Sequence, residues 1–248
     1  MYTPKVLFVG ETYTAMFTYI RGCDYVTLPN SSRVKGEGFC DMLSGRGIDA
    51  QLMSTDAIAE DFPVTMEALQ AYDAVVLSDV GSNTMLKKPA SGYAVNRLEL
   101  LREYVELGGG LLMCGGYFSF SGIGNVARYG MTPLAAVLPV DILNYDDRVE
   151  CPQGIKPVIT QSEHSVFEGV GEVWPAFCGY NKVGPRADAM TLATISGDPF
   201  ITAAHYGKGR SMAFTSDCTP NWATEEFLAW EGNGQFFRNA ILWLTGRE

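Results

Sequence analysis

The sequence predicts an α/β chain built on a doubly wound, mostly parallel sheet, and three observations point that way. Short continuous apolar runs bounded by Gly or Pro recur along the first half. They alternate with segments whose apolar residues fall at helical spacing. A strand pair and an amphipathic helix close the chain. A run that is apolar at every position suits a strand covered on both faces, and strands that alternate with helices imply parallel pairing.

The elements follow in order. Lys5-Val6-Leu7-Phe8-Val9-Gly10 sits between Pro4 and Gly10 and reads as the first buried strand. Phe39, Met42 and Leu43 lie at helical spacing between Glu37 and Gly47, and Ile48 to Met53 reads as the next strand, completing the start of a βαβ unit. Asp73 to Asp79 is a third strand, and Leu98, Leu101 and Val105 mark a helix that Gly108 stops before a fourth strand, Gly110 to Cys114. After Pro139 the rhythm gives way to loops and short strands among Pro and Gly. Met190 to Ile195 is a further strand; Phe200 to Tyr206 and Ser211 to Thr215 flank Gly207-Lys208-Gly209 as a late β-hairpin, and Phe236 to Leu244 is the closing helix. With no repeat, low-complexity tract or charge block, residues 1–248 are expected to form one domain.

Composition bounds the function. The chain has 47% hydrophobic and 19% charged residues, as a globular protein should. A formal charge of −10 argues against nucleic acid, which needs clustered Lys and Arg to displace counterions. Nothing resembles a signal peptide or a membrane span, so a cytoplasmic location is expected and no membrane partner. The six cysteines form no C-x-x-C pair and stand near no histidine at zinc spacing, so they read as free thiols and no metal or cofactor is expected.

Ligands of open parallel sheets bind beyond the carboxyl ends of the strands. That rim should present Glu11 after the first strand, then Asp79, Ser82 and Asn83 after the third. Gly115, Gly116, Tyr117 and Ser119 follow the fourth, and Asp217, Asn221 and Trp222 follow the hairpin. Asp79 and Asp217 also suit helix capping and turns. Glu11 at the end of a buried strand demands a partner, a backbone N–H or an arginine. Of the two histidines, His205 lies in a strand before the hairpin turn, and His164 lies in a loop from which it could reach a pocket.

The loop Leu77-Ser78-Asp79-Val80-Gly81-Ser82-Asn83-Thr84, the turn from Gly108 to Gly122, the hairpin from Tyr206 to Trp222 and the helix from Phe236 to Gly246 together resemble one family. The chain is similar to the class I glutamine amidotransferase-like superfamily, and within it to the GATase1-like glutamine amidotransferases. That resemblance implies a flavodoxin-like fold and, in active members, a Cys-His-Glu triad with the cysteine at a strand-to-helix elbow. A thiol there is made nucleophilic by the helix N-terminus and an imidazole. Here the elbow position falls on Gly115, with Cys114 one residue early and expected to face the other side of the backbone. The late strand ends Thr215-Ser216-Asp217, so only the carboxylate has a counterpart, Asp217, and the histidine is absent.

Cys114, Asp217 and His164 are therefore the catalytic candidates, with Cys114 expected to be a structural thiol. The resemblance leads to a glutamine amidotransferase-like protein without glutaminase activity that binds a small polar molecule at the rim. A hydrolase or isomerase using Asp79, Tyr117, Asp217 and His164 on a sugar-like or amide substrate is one alternative. A self-association module presenting Trp222, Phe227, Trp230 and Phe236, and so a homo-oligomer, is another.

Overall fold

The computed structural model describes residues 2–90, 92–93 and 95–248. In chain order the elements are β1 (Lys5–Gly10), β2 (Thr12–Arg21), β3 (Asp24–Val34), α1 (Glu37–Ser44), β4 (Asp49–Met53), α2 (Ile58–Asp61), α3 (Met66–Leu69), β5 (Ala74–Ser78), α4 (Ser82–Met85), α5 (Arg97–Glu106) and β6 (Gly110–Cys114). They continue with β7 (Val140–Asp141), β8 (Arg148–Ile155), β9 (Val158–Ile159), β10 (Phe177–Asn181), β11 (Gly184–Pro185), β12 (Met190–Ile195), β13 (Asp198–Tyr206), β14 (Gly209–Phe214), α6 (Glu225–Ala229) and α7 (Glu231–Leu244).

The central sheet has eight strands in the order β4-β1-β5-β6-β14-β13-β12-β9. Strands β4, β1, β5, β6 and β14 run parallel, and β13, β12 and β9 extend the sheet antiparallel. Successive residues of the parallel strands feed two separate cores. Val6, Phe8, Leu112 and Cys114 pack with Phe39 and Leu43 of α1 and Phe236, Phe237 and Ile241 of α7. Leu7, Val9, Leu111 and Met113 pack with Ile58 of α2, Leu69 of α3 and Leu98 and Leu101 of α5 on the other face. This is why the runs are apolar at every position: each strand residue is buried on one side or the other, at about 1.5 to 3 kcal/mol per large side chain.

The aromatic side chains of the C-terminal third lie inside. Trp222, Phe227 and Phe236 are buried, with Phe236 edge-to-face against Trp174 at 5.2 Å between ring centroids and Phe227 stacked on it at 6.1 Å. Only Trp230 of the four residues expected for a partner face is half-buried, so they form core, not a docking surface. The closing helix is longer than the apolar spacing indicates because Glu231 starts it five residues before Phe236, through Gly232 and Gly234. All six cysteines are free, four of them buried.

The short helices α2 and α3 and one larger element have no counterpart in the sequence reading. β2 and β3 form a separate two-stranded ribbon, paired antiparallel from Thr12 onward and turned at Gly22-Cys23, where Gly22 takes φ +59°. Every residue from Met16 to Leu28 is exposed. No helix among the described residues is long and apolar enough to cross a membrane.

Candidate functional site

β1 sits between β4 and β5, so the chain reverses its direction of travel across the sheet between β1 and β5. The crevice beyond the carboxyl ends of such a pair is where open α/β sheets hold ligands. Two carboxylates stand there, Glu11 after β1 and Asp79 after β5. Both adopt left-handed backbone conformations, φ 54° and 46°, which cost a non-glycine residue of order 1 kcal/mol. Asp217, after β14, completes a group of three.

Glu11 is 3% exposed and satisfied by hydroxyls rather than by an amide or an arginine. Ser78 Oγ donates to Oε1 at 2.6 Å and Thr219 Oγ1 to Oε2 at 2.7 Å. Asp217 is equally buried and accepts the Trp222 amide at 2.8 Å on Oδ2. Asp79 does not cap α4, whose N-cap is Gly81. Its Oδ1 accepts the Phe118 amide at 2.7 Å, the Tyr117 amide also faces it, and its own amide donates to Ser119 Oγ at 3.1 Å. The turn after β6 thus closes over Asp79.

Gly116 lies between two of these acids. A Cβ there would stand 2.7 Å from Asp79 Oδ1 and 2.9 Å from Asp217 Oδ1, and φ is +137°. Only glycine fits. The turn is pinned from beneath by Asn181, fully buried on β10, whose Oδ1 accepts the Gly116 amide at 2.9 Å and whose Nδ2 donates to Gly116 O at 3.1 Å and Asp147 Oδ1 at 2.8 Å. Asp147 in turn accepts the Ser121 and Gly122 amides, both at 2.9 Å.

The electrostatics follow from burial. Removal from water raises Glu11 to about 7, with the Asp79 charge adding to the rise. Asp217 is pushed well above the carboxylate range by burial first, then by Glu11 and Asp79. Asp79 is raised by burial and held back by the Phe118 amide. Lys35, whose Nζ donates to Pro220 O at 2.5 Å, is the cation whose charge opposes all three rises. At neutral pH the group therefore retains protons and can donate as well as accept hydrogen bonds.

Above Asp79 opens a cavity of about 350 Å3 walled by Tyr13, Lys35, Tyr117, Phe118 and Asn221. A neighbouring hollow of about 270 Å3 shares Tyr13, Asp79 and Phe118 and reaches Thr55 and Asn83. Tyr117 is fixed by its hydroxyl, which donates to Glu150 Oε1 at 2.8 Å, and by the Arg148 guanidinium 4.7 Å above its ring. Among the described residues no group of three or more His, Cys, Asp or Glu side chains is arranged to hold a metal ion.

Of the residues expected at the rim, the structure brings Glu11, Asp79, Gly115, Gly116, Tyr117 and Asp217 together, with Asn83 on the neighbouring hollow. Ser119 is not an exposed pocket group; it is buried as the acceptor for the Asp79 amide. Trp222 is buried behind Tyr117, rings 5.5 Å apart, its Nε1 donating to Glu150 Oε2 at 3.0 Å. Ser82 is buried, its amide donating to Ala127 O at 3.0 Å. Cys114 is wholly buried and contacts the Cys218 thiol.

His164 does not reach the rim. Its Nδ1 accepts the Val166 amide at 3.3 Å, and its ring lies 5.6 Å from that of Trp243. His205 lies against the same indole at 5.9 Å and pairs with Arg210, which is opposite Gly110 at the start of β6. Both imidazoles are thus at the amino-terminal end of the parallel strands. Sequence reasoning missed Tyr13, Lys35, Asp147, Glu150 and Asn181. The first two sit at the root of the unread ribbon, and the others come from the irregular third of the chain, where no local spacing marks them.

Fold and site together define an α/β protein with a polar crevice at the switch point of a mostly parallel sheet. The sequence matches the family of putative glutamine amidotransferases, GATase1-like, over residues 5–246. The chain belongs to that family. It is 40% identical to the cytoplasmic protein STM1381 from Salmonella typhimurium LT2, covering 97% of this chain and 99% of that one with a TM-score of 0.91. It is 37% identical to the cytoplasmic protein STM3548 from Salmonella typhimurium, covering 96% and 98%, also at 0.91. A putative ThuA-like protein from Bacteroides uniformis shares the fold at 13% identity and a TM-score of 0.54, covering 98% and 92%. No curated protein matches the chain.

Proposed function

We propose that this protein is a glutamine amidotransferase-like binding protein of doubly wound, flavodoxin-like architecture, which holds a small polar molecule in the crevice above Asp79 and performs no cysteine-based amide hydrolysis. The observation that carries this reading is the occupancy of the elbow. Acyl transfer to a thiol needs backbone N–H groups free to stabilise an oxyanion. Here the Gly115 amide is shared between Phe214 O and Ser216 O, both at 2.8 Å, the Gly116 amide is held by Asn181, and the Phe118 amide by Asp79. A carboxylate of the chain itself sits where such an anion would be received. The buried Cys114 and the distance of both imidazoles from the rim support the same reading. The cytoplasmic names of the relatives support a cytoplasmic location.

Ammonia release from glutamine tests the negative half: none is expected, and release that disappears in Cys114→Ser overturns the proposal. Thermal-shift screening with polyols, sugars, amides and amines tests the positive half. A compound that raises the melting temperature of the native protein but not of Asp79→Asn is expected. Asparagine tolerates the left-handed backbone, so this variant removes charge without adding strain.

A second reading is favoured by one observation, the rise of Glu11 to about 7 beside Asp79 and Asp217. Acids with separated pKa values divide proton-donating and proton-accepting roles, as a hydrolase or isomerase requires. Turnover lost in both Asp79→Asn and Asp217→Asn, with the fold retained, would select it.

A further inference from the structure

The ribbon of β2 and β3 is uncovered on both faces, and the face that bears Phe17 is the one that ends in a pair of opposite charges. Cross-strand pairing places Phe17 opposite Leu28, Tyr19 opposite Val26 and Arg21 opposite Asp24, and paired residues of an antiparallel ribbon share a face. The four apolar side chains are 53%, 50%, 60% and 49% exposed in that order, a continuous stripe that ends in one cation and one anion. A two-stranded ribbon is marginal in water by itself and gains its stability from a covering layer.

We propose that this face docks on the same face of a second copy of the chain, with the two-fold axis running along the ribbon. That operation stacks the two ribbons about 10 Å apart and sets β2 of one over β3 of the other. Phe17 then meets Leu28 of the other copy, Tyr19 meets Val26, and Arg21 meets Asp24, each contact made twice. The charges are complementary in this arrangement, whereas a two-fold across the ribbon would set β2 over β2 end for end and carry Arg21 away from the other copy's Asp24. The four side chains offer on the order of 400 Å2. The apolar share of a standard interface, roughly 56% of roughly 800 Å2 per partner, is about 450 Å2.

Charge argues for this occupant over others. Arg21 and Asp24 are the only charged residues from Met16 to Leu28 in a chain of net charge −10, so the ribbon is a neutral patch on which two acidic bodies can meet. Nucleic acid and anionic lipid both need a cluster of cations, which the ribbon lacks. Docking would also fix the ribbon's root, where Tyr13 and Lys35 wall the crevice above Asp79.

Sedimentation equilibrium at tens of micromolar tests the proposal. The native chain is expected at twice its sequence mass and the double variant Phe17→Glu, Tyr19→Glu at the monomer mass, while Tyr145→Glu, an equally exposed site away from the ribbon, stays dimeric. A native monomer, or a double variant that remains dimeric, overturns it. Cys23, the one fully exposed cysteine, lies at the ribbon's turn and gives a second readout. A short bismaleimide should link two native chains through Cys23 in high yield and fail on Cys23→Ser. Dimers that do not cross-link through Cys23 overturn the parallel arrangement.

Discussion

Replacing Glu11 with Gln should reverse the usual effect of removing a buried, hydrogen-bonded carboxylate: above neutral pH the variant is the more stable protein. A carboxyl whose folded pKa exceeds its unfolded value binds its proton more tightly in the native chain. The folded state therefore loses stability as pH rises from about 4.5 through about 7, and the penalty is complete above about 7. The difference of about 2.5 in pKa, at about 1.4 kcal/mol for each, gives a penalty of about 3 kcal/mol at pH 8. No discount for solvent applies, because the carboxylate is 3% exposed. Glutamine keeps the shape. Its carbonyl accepts from one of the Ser78 and Thr219 hydroxyls, and its amide donates to the other, which rotates to accept. Removing the charge also relieves Asp217, which Glu11 holds up. Urea unfolding followed by tryptophan fluorescence at pH 5, 6, 7 and 8 measures the effect. The native protein should weaken mainly between pH 5 and 7 and level off by pH 8, and the advantage of Glu11→Gln should grow from about 1 kcal/mol at pH 5 to about 3 kcal/mol at pH 8. A native stability that is flat over this range, or a variant weaker than native at pH 8, refutes the account of a buried acid kept protonated by desolvation.

Three further outcomes follow from the same geometry. Asn181→Ala should cost about 2 to 3 kcal/mol in urea unfolding, since it strands the buried Gly116 amide and leaves Gly116 O with only the Ser119 amide and Asp147 Oδ1 with only the Gly122 amide. Gly116→Ala should cost about 2 kcal/mol or more and abolish thermal-shift responses to crevice ligands, because a methyl at φ +137° drives into Asp79 and Asp217. Cys114→Ser should leave ligand affinity within about twofold, by titration calorimetry, while lowering stability by about 1 to 2 kcal/mol as a hydroxyl replaces an apolar thiol in the core.

How much of this was legible depended on the range of the signal. The parallel strands were readable because burial on both faces leaves apolar residues at every position of Val6 to Val9, Ala74 to Leu77 and Leu111 to Met113. The first half of the rim was readable with them, since a strand end names the next residue: Glu11, Asp79 and Gly115 each follow directly. The ribbon was missed although its signal is local. Thr12 to Ile20 and Tyr25 to Leu28 are rich in β-branched and aromatic residues around Gly22-Cys23, which is a two-residue hairpin pattern. Its apolar residues occupy both faces, so no alternation toward a core announces it. Asn181 and Asp147 could not be found from sequence, because what makes them important is a hydrogen bond to a turn more than sixty residues away in one case and about twenty-five in the other.

The charge state of the crevice is set by where each acid's hydrogen bonds come from. Asp79 is raised by burial and held back by two backbone amides of the turn after β6; Glu11, which accepts two hydroxyls, and Asp217, which accepts one amide, are raised by burial and by the neighbouring acids. Ionising Asp79 raises the other two further, so the group behaves as one site that spreads a limited negative charge and keeps donors available beside it. On the proposed reading such a site suits a ligand that both gives and takes hydrogen bonds, since the Phe118 amide is already taken by Asp79. Lys35 strengthens this bias, for it balances part of the charge from the cavity wall without entering the hydrogen bonds of the acids. On the proposed reading, the absence of a cysteine nucleophile and the presence of a polar binding crevice are two consequences of one local arrangement, a glycine at the elbow with carboxylates on either side of it.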